Sequence, residues 1–134
     1  MKFLLDTNVW IAYLRGKNPL IRERIVTRTA DEIVLCSVVL GELFHGVLRS
    51  ENVVRNRSAV DALVSPYVCL PFAAEAADRF AAIRHYLETA GTPIGPYDLQ
   101  IAAIALAHGC TVVTHNTAEF SRIPGLLIED WESP

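Results

Sequence analysis

Apolar residues fall along this chain in short blocks separated by longer stretches of helical spacing. Five blocks read as strands: Lys2–Leu5, Ile33–Cys36, Val68–Pro71, Thr111–Thr114 and Leu126–Ile128. They are mostly continuous apolar or β-branched runs, the pattern of strands buried on both faces of a parallel sheet. Helices fill the intervals. Asn8–Arg15 is stopped by Gly16, and Pro19–Thr29 opens with proline in its first turn. Ser37 is placed to cap a helix reaching Ser50, with Leu40, Leu43, Phe44 and Val47 on its apolar side. Val53–Val64 is bounded by Pro66, and Ala73–Ala90 carries Phe80, Ile83 and Leu87 at helical intervals. Gly91, Pro93, Gly95 and Pro96 make a sharp break. Beyond it, Pro96–His108 is apolar on nearly every side, which predicts a central buried helix. Strands alternating with helices predict a three-layer α/β/α sandwich around a parallel sheet of four to five strands.

Four acids stand where these strands end. Asp6 follows the first strand and Glu119 the fourth, while Glu42 and Asp98 lie in the first turns of helices after the second strand and the break. Each has an ordinary use by itself. Asp6 suits a helix N-cap, and Asp98 suits the positive end of a helix dipole. Glu42 fits a solvated helical surface, although it borders the apolar face with the small Gly46 one turn on. Asn116 and Glu119 have the spacing of a capping box. None of these uses explains why all four fall at one edge of the sheet, where open α/β folds bind ligands. Carboxylates gathered there repel one another unless a cation neutralises them.

Size and composition narrow the field. A chain of 134 residues with 51% hydrophobic content is expected to be a single domain, residues 1–134, with a substantial core. No apolar run reaches the roughly 18 residues of a membrane span, and the first residues lack the charged n-region and cleavage site of a secretory signal. A cytoplasmic location is the expectation. Cys36, Cys69 and Cys110 are odd in number and widely spaced, which opposes a zinc site or disulfide framework and predicts three small buried hydrophobes. The net charge is −3, but it is unevenly spread. Between Arg15 and Arg57 lie eight of the 12 basic residues and five of the 15 acids, a local excess of +3. A basic flank beside an acidic pocket suits a polyanion held by its backbone.

The blocks Phe3-Leu4-Leu5-Asp6-Thr7-Asn8-Val9-Trp10, Ser37-Val38-Val39-Leu40-Gly41-Glu42-Leu43 and Asp98-Leu99-Gln100-Ile101-Ala102-Ala103 stand in order along the chain. Thr114-His115-Asn116-Thr117-Ala118-Glu119-Phe120 and Ile123-Pro124-Gly125-Leu126 complete the series. Together they resemble the PIN-domain ribonucleases, and specifically the VapC-like toxins of bacterial toxin–antitoxin pairs. The resemblance implies Mg²⁺-dependent endonucleolytic cleavage of RNA, with Mn²⁺ substituting; structured RNAs such as transfer or ribosomal RNA are implied targets. Asp6 and Asp98 are expected to hold the principal ion. Glu42 acts through a water or a second ion and orients the nucleophile, and Glu119 completes the negative ring. Thr114 and Asn116 are expected to position water or phosphate, and Asn8 to brace the loop. A homodimer and a VapB-like antitoxin are implied as well; Leu14, Leu20, Phe44, Val47 and Leu48 are candidates for its groove, with core packing expected for most of them. There is one departure: the last block commonly reads Asn-x-x-Asp-Phe, and Glu119 adds a methylene, which favours a water-mediated contact.

Other acidic α/β pockets fit less well. A haloacid-dehalogenase-like phosphatase wants a second Asp two residues after the first, where this chain has Asn8. A receiver-like signalling module wants an acid after its third strand and a Lys after its fifth; here the third strand ends in Leu70-Pro71-Phe72, and no Lys lies beyond residue 17. No Gly-rich turn follows the first strand, which excludes a dinucleotide-binding domain. A non-catalytic PIN-like module remains as the alternative, although carboxylates occupy all four positions.

Overall fold

A computed structural model describes residues 1–134. In chain order the elements are β1 (Phe3–Leu5), α1 (Thr7–Arg15), α2 (Pro19–Val26), a 3₁₀ turn (Ala30–Glu32), β2 (Ile33–Cys36), α3 (Ser37–Leu48) and α4 (Val53–Val64). They continue as β3 (Val68–Leu70), α5 (Ala74–Thr89), α6 (Pro96–His108), β4 (Thr111–Val113), α7 (Thr117–Phe120) and β5 (Ile128–Glu129). The sheet has five strands in the order β3-β2-β1-β4-β5. All pairings are parallel, as the continuous apolar runs predict.

The strand order positions the site. From β1 the chain first travels outward through β2 to β3, then crosses back to β4 and leaves in the opposite direction to β5. Right-handed crossovers place the helices of the two halves on opposite faces of the sheet. Between β1 and β4 the winding reverses, and that switch point opens a crevice at the carboxyl ends of the strands. Phe3, Leu4 and Leu5 pair with Thr111, Val112 and Val113 in register, so the residues that follow Leu5 and Val113 emerge side by side.

One cluster of 30 buried apolar side chains fills the interior. α6 contributes Leu99 and the run Ile101–Ala105, all buried, in agreement with its apolar circumference. Its alanines allow close approach to the sheet. Gly109, at φ 66°, closes α6 in the left-handed conformation that glycine adopts without a Cβ penalty.

Several local expectations shift. α1 begins at Thr7 rather than Asn8 because Asp6 caps it. α2 stops at Val26, since Thr27 turns its hydroxyl back to the Glu23 carbonyl and Thr29 opens the next turn. Ser37 is the first residue of α3 rather than its cap, and its hydroxyl accepts the Phe72 N–H. β5 is displaced to Ile128–Glu129. Cys36 and Cys110 are buried as expected, but Cys69 is exposed because β3 is an edge strand. Of the groove candidates, Val47 enters the core and Phe44 packs against it, whereas Leu14 and Leu48 are exposed. No helix is long and apolar enough to cross a membrane.

The end of the chain is fixed by Trp131, which is only 1% exposed. Its ring meets Phe3 at 5.3 Å between centroids, and the Arg28 guanidinium lies 4.5 Å above it. Arg24 also donates to the Asp130 carbonyl at 2.9 Å, tying the same segment to α2. Removing a buried indole loses its packing and leaves a cavity, at a cost of about 3–5 kcal/mol. Trp131→Ala is therefore expected to lower the urea midpoint sharply, while Tyr86→Ala, at an exposed position on α5, stays within about 0.5 kcal/mol of wild type. Equal effects from the two would remove Trp131 from the core of the fold.

Candidate metal centre

Asp6 leaves β1 at the switch point and is 7% exposed. Its backbone N–H donates to the Val113 carbonyl at 3.0 Å, extending the β1–β4 ladder by one bond. Its carboxylate has two distinct duties. Oδ1 accepts the Val9 N–H at 3.1 Å and caps α1, while Oδ2 accepts the Thr114 hydroxyl at 2.5 Å. Burial pushes its pKa upward, the Thr114 and Val9 donors oppose that, and the charges of Glu132 and Glu42 add to the rise.

Glu42 reaches the site from the first half of α3. The Thr7 hydroxyl donates to its Oε1 at 2.7 Å, joining the start of α1 to α3. Asp98 lies in the first turn of α6 and Glu119 in α7. The Asn116 amide sits between them, donating to Asp98 Oδ2 at 3.4 Å and to Glu119 Oε2 at 3.0 Å. Half-buried Asp98 is pushed up to about 6 by desolvation first, then by the charges of Asp6, Glu119 and Glu42. Asp98 thus feels the charges of the other three acids, and Asp6 that of Glu42, at the carboxyl edge where the strand-end pattern puts them. Hydroxyl and amide donors fix them: Thr7 holds Glu42, Thr114 holds Asp6, and Asn116 bridges Asp98 and Glu119.

Thr114 and Asn8 depart from their expected uses. Thr114 is fully buried. Its hydroxyl donates to Asp6 and accepts the Asn116 N–H at 2.9 Å, so it orients the site instead of reaching water or phosphate. Asn8 is exposed, and the loop it was expected to brace is held by Asp6 and Thr7.

A second group was not singled out by the sequence pattern. Ligand atoms of His115, Asp130 and Glu132 lie within 4.8 Å of one another. His115 Nδ1 is 3.0 Å from both Asp130 Oδ2 and Glu132 Oε2. The hydrogen bond to Asp130 and the charges of both acids hold its pKa above the ordinary histidine value. These residues follow β4 and β5, so the strand-end rule that finds Asp6 and Glu119 reaches them once β5 is extended to Glu129.

The donor set fits a hard divalent cation. It is all oxygen and partly buried, with Asp6 and Asp98 raised in pKa by burial first and by neighbouring acids as well. Mg²⁺ keeps several waters and needs only one or two direct carboxylates, so a set in which some acids act through water suits it. The arrangement can concentrate positive charge beside an anion and orient a water.

The PIN domain family matches residues 3–126 of the chain. The tRNA(fMet)-specific endonuclease VapC of Salmonella typhimurium is 41% identical over 131 residues, covering 98% of each chain. Among solved structures, DNA-bound VapBC from the same organism superposes with a TM-score of 0.92 at 41% identity, over 98% of both chains. VapBC2 from Rickettsia felis, bound to a DNA fragment from its promoter, gives 0.90 at 32% identity over 98% of this chain and 99% of that one.

An acid whose pKa is higher in the folded than in the unfolded state binds its proton more tightly when folded. The stability it contributes is complete below the ordinary value of 3.8 and is lost as the pH rises through about 6. Asp98→Asn is therefore expected to raise the thermal midpoint in EDTA, with the gap to wild type widening from about pH 4 to about pH 6 and then levelling. Excess Mg²⁺ should raise the midpoint of wild type more than that of Asp98→Asn. Parallel curves at every pH, with and without the ion, would place Asp98 outside any repulsive cation site.

Proposed function

The chain belongs to the PIN-domain family, and within it to the VapC ribonucleases, and from this we propose that it is an Mg²⁺-dependent endoribonuclease serving as the toxin of a VapBC-like pair. The observation that carries the reading is the convergence of Asp6, Glu42, Asp98 and Glu119 at the switch point, with Asp98 raised to about 6 by burial and then by the charges of the other three. An arrangement that costs stability unless a cation offsets it is a functional arrangement.

In this reading Asp6 and Asp98 hold the principal ion, with Glu42 and Glu119 in the surrounding shell. When bound, such an ion polarises a phosphoryl oxygen and lowers the pKa of a water. The protein's own groups set the geometry. Thr114 fixes Asp6 Oδ2, and Asn116 aligns Asp98 with Glu119. Thr7 occupies Glu42 Oε1, leaving Oε2 to accept a proton from the attacking water and aim its lone pair at phosphorus. Manganese is expected to substitute, having similar oxygen preference. The Salmonella relative makes tRNA(fMet) the first RNA to try, and the VapBC neighbours support a VapB-like antitoxin as partner.

The test is cleavage of total RNA, followed by a tRNA(fMet) transcript, with Mg²⁺ and then EDTA. EDTA is expected to abolish cleavage. Outer partners of metal ligands cost roughly 10–100-fold when changed, and a ligand itself costs more. Asp6→Asn and Asp98→Asn are accordingly expected to lose more than about 100-fold in kcat, and Asn116→Ala about 10–100-fold. Glu119→Gln should lose less than Asp98→Asn, because its longer side chain acts through water. If wild type with Mg²⁺ cuts no RNA, and expression of Asp6→Asn still arrests growth, the nuclease reading fails.

A further inference from the structure

From Glu42 a groove of about 670 Å³ runs on along α3, and most of its lining has no part in the carboxylate chemistry. One wall is a stripe along α3 and its C-cap: Glu42, His45, Gly46 and Arg49, at the spacing that brings residues of neighbouring turns onto one face. The other wall is Tyr97 and Gln100 from the first turns of α6, which packs against α3. Tyr97 immediately precedes Asp98 in sequence, is 59% exposed and stacks on no other ring of the protein. Arg49 has no acidic partner. Beside Gly46 nothing lies within 4 Å of where a Cβ would stand, so the groove is open along α3.

We infer that this groove holds the single-stranded RNA flanking the scissile phosphate, with Tyr97 stacking on a base and Arg49 binding the next phosphate along. The inference rests on the ribonuclease reading and adds the substrate track to it. The groove is polarised. One end is marked by Glu42, the member of the acidic set that lines the groove, and the other by the free guanidinium of Arg49 from the locally basic stretch of the chain. A polyanion with one phosphate at the acids and another at Arg49 matches both ends; a base between them meets the exposed ring. Aromatic stacking tolerates any base, while guanidinium pairs with phosphate in a bidentate fork. The Gln100 amide, with donors and an acceptor, is placed to read a base edge. These are positioning residues, because they lie along the substrate rather than at the reacting atoms.

The experiment is fluorescence anisotropy with a fluorescein-labelled pool of random single-stranded RNA hexamers, in Ca²⁺ rather than Mg²⁺. Wild type is expected to bind the pool. Tyr97→Ala should weaken binding roughly ten-fold, while Tyr97→Phe, which keeps the ring, should bind as wild type does. Arg49→Ala should reduce the slope of log K against log salt by about 0.7, and Arg79→Ala, outside the groove, should leave it unchanged. In cleavage assays, Tyr97→Ala should raise KM more than it lowers kcat. The inference is overturned if wild type does not bind the pool, or if Tyr97→Ala and Arg49→Ala bind and cleave as wild type does. Loss of binding to a VapB-like antitoxin in these variants, with RNA binding intact, would also overturn it and assign the groove to protein. Failure of the nuclease reading looks different: wild type then cleaves no RNA.

Discussion

A carboxylate buried between two parallel strands organises this molecule. Asp6 is drawn from water at the end of β1, a position that is costly unless its oxygens find donors. One donor is the first turn of α1 and the other is Thr114 at the end of β4. Those contacts hold together the start of a helix, the seam of the sheet and the loop that carries Asn116. Asn116 in turn sets Asp98 against Glu119. Each successive acid is positioned by a neutral group whose own place depends on the one before, so the geometry propagates outward from a single buried side chain.

The same chain of contacts explains how four acids share one edge without collapsing the fold. No basic side chain pairs with any of them. Hydroxyls and an amide satisfy lone pairs without cancelling charge, so the site stays electronegative and ready for a cation. The cost falls on the apoprotein and shows as the raised pKa of Asp98. The core, with its interlocked alanine-rich α6 and buried β1, β2 and β4, supplies the stability that offsets it. Function here is a local departure from the low-energy arrangement, supported by packing elsewhere.

The fold was legible because most of its strands are uninterrupted apolar runs and α1, α4, α5 and α6 stop at or just before glycine or proline. Those signals are local, and local backbone preference was not overruled by distant packing. The acids were legible for a different reason: strand order converts positions far apart in sequence into one edge in space. What escaped was whatever required knowing side-chain partners. Ser37 looks like a cap, yet its hydroxyl serves Phe72 across the sheet. Thr114 looks available to substrate, yet it is sealed beneath Asp6. His115, Asp130 and Glu132 meet only because β5 lies beside β4, and two paired residues are too short a strand for sequence to delimit.

That brevity has a consequence for how other chains can engage this one. Both borders of the sheet are stubs: β3 has three residues and β5 two. A strand added to either border would gain only a few main-chain hydrogen bonds, too little for β-augmentation to provide affinity. Exposed Val68 and Cys69 therefore present little template for aggregation, even though they are uncovered. Recognition is left to helical faces and to the open carboxyl end of the sheet.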